Sequence, residues 1–133
     1  MKPLFEAIYT FANVANDFKT AIGGRFYLHE APQNATFPFA VYSLVSLDPE
    51  YYQGGNQLLR PYIQISIFSN DIGANEVTTA WGYMCSRFDD AAISVTGYGT
   101  VEFRRSQSRL LRDPEPLNVW HYATDYELIL SKN

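Results

Sequence analysis

Few residues in this sequence could catalyse a nucleophilic reaction: two histidines, His29 and His121, and one cysteine, Cys85. Nucleophilic catalysis needs a nucleophile, a base and a group that orients the base. Neither histidine has a partner motif, and Ser43 and Ser46 lie in an apolar run rather than on a G-x-S-x-G turn. Cys85 lies on an apolar helical stripe, where a cysteine behaves as a small hydrophobe. The sequence therefore predicts that the protein is not an enzyme.

The acidic residues and glycines do not have the spacing of a metal or phosphate site. Asp89 and Asp90 are adjacent at the end of a predicted helix, where they would point in different directions and are interpreted as solvated residues. Asp113 and Glu115 flank a proline in a predicted turn. The sequence contains no C-x-x-C, H-x-x-x-H or EF-hand spacing, and no glycine pair in a strand–loop–helix unit with a following lysine. Neither a metal ion nor a cofactor is predicted.

Four arginines lie within one short segment, "EFRRSQSRLLR". Because side chains alternate along a strand, Arg105 and Arg109 are predicted on one face, and Arg104 and Arg112 on the other. An isolated hairpin is only marginally stable in water, so a hairpin that is polar on both faces needs further support. Two interpretations remain open. The segment is a solvated arm whose arginines pair with nearby carboxylates, or it packs on a neighbouring subunit or faces DNA.

Length and composition predict one folded domain over residues 1–133. A chain of 133 residues can bury a core without disulfide or metal support. An apolar content of 47% with 16% aromatic residues excludes a disordered chain. The net charge of -4 and the pI of about 5.0 argue against a general nucleic-acid binder. No apolar run approaches the roughly 20 residues of a membrane span, and no signal peptide is predicted. A soluble protein of a reducing cytoplasm is the simplest expectation.

Two amphipathic helices are predicted from apolar residues spaced three and four positions apart. The first begins near Pro3 and continues to Gly23 and Gly24, where it stops. Its apolar stripe consists of Leu4, Ile8, Phe11, Ala15, Phe18 and Ile22. The second helix is "NDIGANEVTTAWGYMCSRFDD", with Asp71 or Gly73 as its N-cap. Its stripe consists of Val77, Trp81, Met84, Cys85 and Phe88.

Six further segments are predicted to be strands. Strand 38–47 is apolar on both faces and is predicted to be central in its sheet, and strand 62–69 alternates, with its isoleucines on one side. Between them, "DPEYYQGGNQLLRP" is predicted to be a long connection. Near the end of the chain, "TVEFRRSQSRLLR" and "VWHYATDYELIL" are expected to pair as a hairpin. The order α-β-β-β-α-β-β-β predicts an α+β fold, a largely antiparallel mixed sheet with two main helices packed on it.

Several of these pieces together resemble a known family. In "APQNATFPFAVYSLVS", an Ala-Pro pair, a polar spacer and an aromatic-Pro pair precede a strand. "YIQISIFSND" then leads into a helix, and the aromatic-rich "WHYATDYELIL" closes the chain. With the amphipathic N-terminal helix, their order and spacing over most of the chain resemble the tail terminator, or tail completion, proteins of long-tailed bacteriophages. The resemblance implies an α+β fold and a ring, commonly of six subunits, that caps the tail tube and joins it to the head connector.

The resemblance also implies partners and a location. The expected partners are further copies of the chain in a hexameric ring, the tail tube protein and the head–tail connector protein, with no membrane. DNA would pass through the lumen without specific binding, and the acidic pI agrees with weak contact to phosphates. The protein would lie in the tail or neck of the virion after assembly in the bacterial cytoplasm.

Two segments are candidates for partner contacts under this resemblance. A loop projecting to the tube or connector is predicted at Tyr51, Tyr52, Gln53, Gly54 and Gly55. Contacts between subunits, or the lining of the lumen, are predicted for Arg104, Arg105, Arg109 and Arg112.

Two other functions remain open on the sequence. A related neck or head-completion adaptor would have a similar fold and different partners. A small enzyme or ligand-binding module would use a pocket on the apolar sheet face, with Tyr42, Tyr62 and His121 as its polar groups.

Overall fold

The computed structural model describes residues 2–51, 57–113 and 118–131. These residues form three helices, which are α1 (Lys2–Ala12), α2 (Asp17–Ala21) and α3 (Asn75–Phe88). The first five strands are β1 (Phe26–Leu28), β2 (Phe39–Tyr51), β3 (Gln57–Ser69), β4 (Ala92–Val95) and β5 (Gly99–Glu102). The last three are β6 (Arg104–Asp113), β7 (Val119–Glu127) and β8 (Leu130–Ser131). The predicted α+β class is confirmed.

The main sheet has the strand order β1-β2-β3-β7-β6, with β8 paired to one end of β3. β1 runs parallel to β2, and the other pairs are antiparallel, so the sheet is mixed and largely antiparallel as predicted. β2 lies between β1 and β3 at residues 40–42, so the prediction of an internal strand is confirmed for that part alone. β6 pairs with β7 as the predicted hairpin. β4 and β5 form a separate two-stranded sheet.

The helices cover one face of the main sheet. Ile63, Ile65 and Ile67 of β3 are fully buried, as their alternation predicted. Phe88, on the buried face of α3, is central to an aromatic cluster formed by Phe11, Phe18, Phe26, Phe103 and Tyr126. The Arg87 guanidinium donates to the Phe11 carbonyl at 2.6 Å, which satisfies a backbone acceptor in the last turn of α1. The core therefore holds α1, α3 and the sheet together.

The predicted single N-terminal helix is two helices, because the chain breaks at Asn16. This residue has an extended backbone, with φ -157 and ψ 167, and its side-chain oxygen caps α2 by accepting the Lys19 N–H at 2.9 Å. Its side-chain amide donates to the carbonyl of Ala12 at 3.1 Å. Asparagine favours such local bonds over a helix interior, so the apolar spacing persists while the helix does not.

Three further boundaries differ from prediction. Residues 48–51 and 57–61 belong to β2 and β3, since the register continues past a bulge between Leu44 and Ser46 as far as the Tyr51–Gln57 pair. The predicted strand at 100–112 divides at the buried Phe103, which leaves β5 outside the main sheet. The N-cap of α3 is Ala74 instead of Asp71 or Gly73, because the Asp71 carboxylate accepts the adjacent Ile72 N–H.

Candidate interaction surface

The arginine-rich segment forms β6, an outer strand of the main sheet. Of its ten residues, only Ser108 is partly buried, and the rest are exposed. Within the described residues, β6 pairs with β7 alone, so its other side carries unpaired backbone groups. Such an edge can accept another strand.

The predicted faces of the four arginines are wrong, because the register shifts between Arg105 and Gln107. A β-bulge adds one residue to one strand, so it reverses the side-chain alternation that follows. Arg105 lies opposite Tyr126, and Arg112 lies opposite Trp120, on the face that the helices cover. Arg104 and Arg109 share the other face, which the helices leave open.

Arg105 is held within its own subunit. Its guanidinium lies 3.4 Å from the Asp89 carboxylate, 3.3 Å from the Cys85 sulfur and 5.4 Å from the centre of the Trp81 ring. The other Asp89 oxygen accepts the Tyr126 hydroxyl at 2.7 Å. Asp89 is therefore a structural acceptor between α3, β6 and β7. The prediction that it is simply a solvated residue is wrong.

The same environment makes the two weak acids of this cluster harder to ionise. Burial raises the pKa of the Tyr126 hydroxyl far above its ordinary value, and the hydrogen bond to Asp89 raises it further. Burial and the Asp89 charge also raise the pKa of the Cys85 thiol, against a smaller opposing effect of Arg105. The thiol is thus kept protonated, in agreement with its interpretation as a hydrophobe.

The other arginines have weaker contacts. Arg112 lies over the Trp120 ring at 5.2 Å. Arg104 lies 3.4 Å from Glu102, and the two side chains are 72% and 61% exposed. Ion pairs with that exposure contribute little to stability. Arg104 and Arg109 are therefore accessible to a partner, while Arg105 is already engaged.

An aromatic row crosses the open face of the sheet. Phe39, Phe68 and His121 lie directly opposite one another on β2, β3 and β7, with ring centres 5.1 Å and 4.3 Å apart. Leu111 of β6 continues the row, since it is paired with His121. Stacked rings on neighbouring strands stabilise a sheet. Phe39 is buried within the subunit, whereas Phe68 and His121 are partly exposed.

A polar row crosses the same face four residues away along each strand. The Asp125 carboxylate accepts the side-chain amides of Gln64 at 3.0 Å and Gln107 at 2.9 Å. Ser43 lies at the β2 end of this row, opposite Gln64. The open face thus combines an apolar row with a hydrogen-bonded polar row, which is the composition of a protein interface.

His121 is a half-buried, neutral residue on this face. Burial lowers the pKa of its imidazole, as does the Arg109 charge to a smaller extent, while Asp113 opposes both. Its Nε2 is buried and has no hydrogen-bond partner among the described residues. A shallow groove of about 370 Å³ runs beside it, between Phe39, Phe68 and Gln64.

The predicted ligand pocket is not formed by its three residues. Tyr42 lies on the helix-covered face, where its hydroxyl lies 3.4 Å from the Phe5 carbonyl oxygen. Tyr62 and His121 are both on the open face, but they lie in different rows, since Tyr62 pairs with Glu127 and His121 with Phe68. The sheet therefore separates the polar groups that a ligand would need together.

The predicted projecting loop falls mostly outside the described residues. Tyr51 is the last residue of β2, paired with Gln57, and so belongs to a strand. Tyr52, Gln53, Gly54 and Gly55 lie outside the described part of the chain. Their contact with a tube or connector stays a prediction.

Comparison with known proteins identifies the family. Residues 6–131 match the family described as "Tail completion protein gp17". The chain belongs to this family of tail completion proteins. Its fold is also that of a chain in the structure titled "Virion of native gene transfer agent (GTA) particle", with a TM-score of 0.76 at 12% sequence identity. That match covers 95% of this chain and 92% of the other. No curated protein matches significantly.

Membership of the tail completion family makes this a structural protein of the phage tail. None of the described helices is both long and apolar enough to cross a membrane. Across residues 2–51, 57–113 and 118–131, no three side chains of His, Cys, Asp or Glu are grouped as a metal site.

Proposed function

We propose that this tail completion protein forms a closed ring that caps the tail tube and offers its other side to the head–tail connector. The observation that carries the proposal is the family match over residues 6–131, nearly the whole chain. The protein acts by shape and self-association.

The surfaces of the subunit support assembly with copies of itself. A ring needs two different patches on each subunit, which meet head to tail and close by rotation. In the part of the chain that the structure describes, the main sheet has an unpaired edge at β6 and one face that no helix covers. The aromatic and polar rows on that face resemble the core and rim of an interface.

The arginines divide into two roles in this proposal. Arg105 and Arg112 contact aromatic rings of their own subunit, so they support β6 from within. Arg104 and Arg109 are available to a neighbouring subunit or to the lumen. A net charge of -4 keeps the ring from binding DNA strongly, because few phosphates are neutralised as the DNA passes.

Electron microscopy of particles that lack the protein tests this function. A tail terminator predicts full heads beside overlong or unstable tails, because nothing stops or seals the tube. Heads that have lost their DNA would instead indicate the neck adaptor. Intact particles with normal tails would contradict both.

A further inference from the structure

We propose that the ring is closed by the sheet itself: the free edge of β6 in one copy pairs with the free outer edge of β2 in the next. This inference rests on the proposed ring and specifies which surfaces form it. The occupant of each edge is a second copy of this chain.

The first observation is that both ends of the main sheet have edges that no strand of residues 2–51, 57–113 and 118–131 pairs with. β1 covers β2 only at residues 40–42, and beyond Tyr42 no described strand pairs with that side of β2. At the other end, β6 has a free side that stays in regular register from Gln107 to Asp113. Pro49, which has no N–H to donate, limits the available part of β2 to about Ser43–Asp48.

The second observation is that both edges expose aliphatic side chains. Val45, the extra residue of the β2 bulge, is 57% exposed, and Leu47 is also exposed. On β6, Leu111 is 47% exposed, and the adjacent Leu110 is exposed on the opposite face. Charged residues such as the β6 arginines usually protect a free edge, whereas exposed aliphatic residues beside them favour pairing.

Strand direction and charge agree with this junction. Three antiparallel pairings separate β2 from β6, so the two strands run in opposite directions. Rotation about an axis parallel to the strands leaves the strand directions of the next copy unchanged. The pair formed by β6 of one copy and β2 of the next is therefore antiparallel. The β6 sequence carries four arginines and one acid, Asp113, so two β6 edges brought together would place like charges against each other. This repulsion favours the head-to-tail pairing over β6 with β6.

A charge-exchange experiment tests the junction on the full chain. One variant carries Leu110→Asp and Leu111→Asp, which places carboxylates against the aliphatic Val45 and Leu47 of β2. The other carries Val45→Lys and Leu47→Lys, which places lysines against the arginines of β6. Assembly is measured by analytical ultracentrifugation with and without tail tubes. Tyr83→Lys is the control, because Tyr83 is 40% exposed on α3 and belongs to neither edge.

The wild type and the control are expected to assemble, each edge variant alone is expected to stay monomeric, and an equimolar mixture is expected to assemble again. The mixture recovers because the two new carboxylates of one β6 edge meet the two new lysines of the other chain's β2 edge. If both variants assemble like the wild type, the edge junction is wrong while the ring stands. If only the β6 variant stays monomeric and the mixture does not assemble either, the edge junction is again wrong while the ring stands. If the wild type itself never assembles, the proposed function fails as well.

Cross-linking gives a second readout if an edge variant does not fold. With Cys85→Ser as background, a chain carrying both Val45→Cys and Leu111→Cys is treated with a short bis-maleimide. The proposed junction predicts a ladder of covalent oligomers from the double variant and no ladder from either single variant. Dimers formed by Leu111→Cys alone would indicate a β6–β6 contact and overturn the proposal.

Discussion

The Arg105 guanidinium lies 3.4 Å from the carboxylate of Asp89, and this contact joins the start of β6 to the residue that follows α3. An outer strand would otherwise be held by β7 alone. The Tyr126 hydroxyl completes the arrangement from β7 by donating to the same carboxylate. The edge that we propose as a subunit contact is thus fixed in place before a neighbour binds, which reduces the conformational entropy lost on assembly.

Replacing Arg105 with alanine should reduce the free energy of unfolding by about 1 kcal/mol, since a partly buried carboxylate loses its charged partner. The matched control is Arg104→Ala, whose pair with Glu102 is largely exposed and should change stability by less than about 0.5 kcal/mol. Urea denaturation measures both. Equal losses in the two variants would show that the Asp89 contact does not stabilise the edge.

Asn16→Ala should destabilise the protein by about 1 kcal/mol, because the side chain caps α2. The control is Asn13→Ala, an exposed asparagine in the same break, which should stay within about 0.5 kcal/mol of the wild type. Thermal unfolding followed by circular dichroism compares them. No difference between the two variants would argue against the capping role.

Phe88→Ala should cost about 3–5 kcal/mol, since it opens a cavity among the aromatic rings between α1, α3 and the sheet. Tyr83→Ala on the exposed side of the same helix should cost about 0.5 kcal/mol or less. Chemical denaturation at equilibrium measures both changes. A small loss for Phe88→Ala would mean that the core does not depend on this ring.

The stability of the fold should fall as the pH drops below about 6.5, in part through His121. Burial lowers the pKa of this imidazole in the folded state, so the unfolded chain takes up the proton first and gains stability relative to the fold. His121→Phe keeps a ring against Phe68 and removes the buried nitrogen. The melting temperature of the wild type should therefore drop more than that of the variant between about pH 7.5 and 5.5. If the melting temperatures of the two proteins fall equally with pH, His121 does not contribute to the pH dependence of stability.

Local patterns in the sequence predicted the elements that bury a regular stripe. The alternation of Ile63, Ile65 and Ile67 gave the correct face of β3, and the stripe from Val77 to Phe88 gave α3. These assignments succeed because burial repeats with the period of the backbone. The break at Asn16 was missed, since the apolar spacing continues across it and only the side-chain hydrogen bonds interrupt the helix.

The interaction surface was harder to predict because it depends on register between distant strands. One additional residue in β6 moves Arg112 to the side of Arg105 and Arg109 to the side of Arg104. The contact of Arg105 with Asp89 and the row from Phe39 to His121 join residues far apart in sequence. No local pattern fixes such pairs. The function was predicted from the family resemblance, because the residues alone indicated only which kinds of site the sequence lacks.

Cryo-electron microscopy of purified tail tubes incubated with the protein is the most direct test of the central claim. The ring proposal predicts a closed ring of subunits on the tube end, with the same rotational symmetry in every capped tube. Bare tube ends, with the protein remaining monomeric in the same sample, would contradict it.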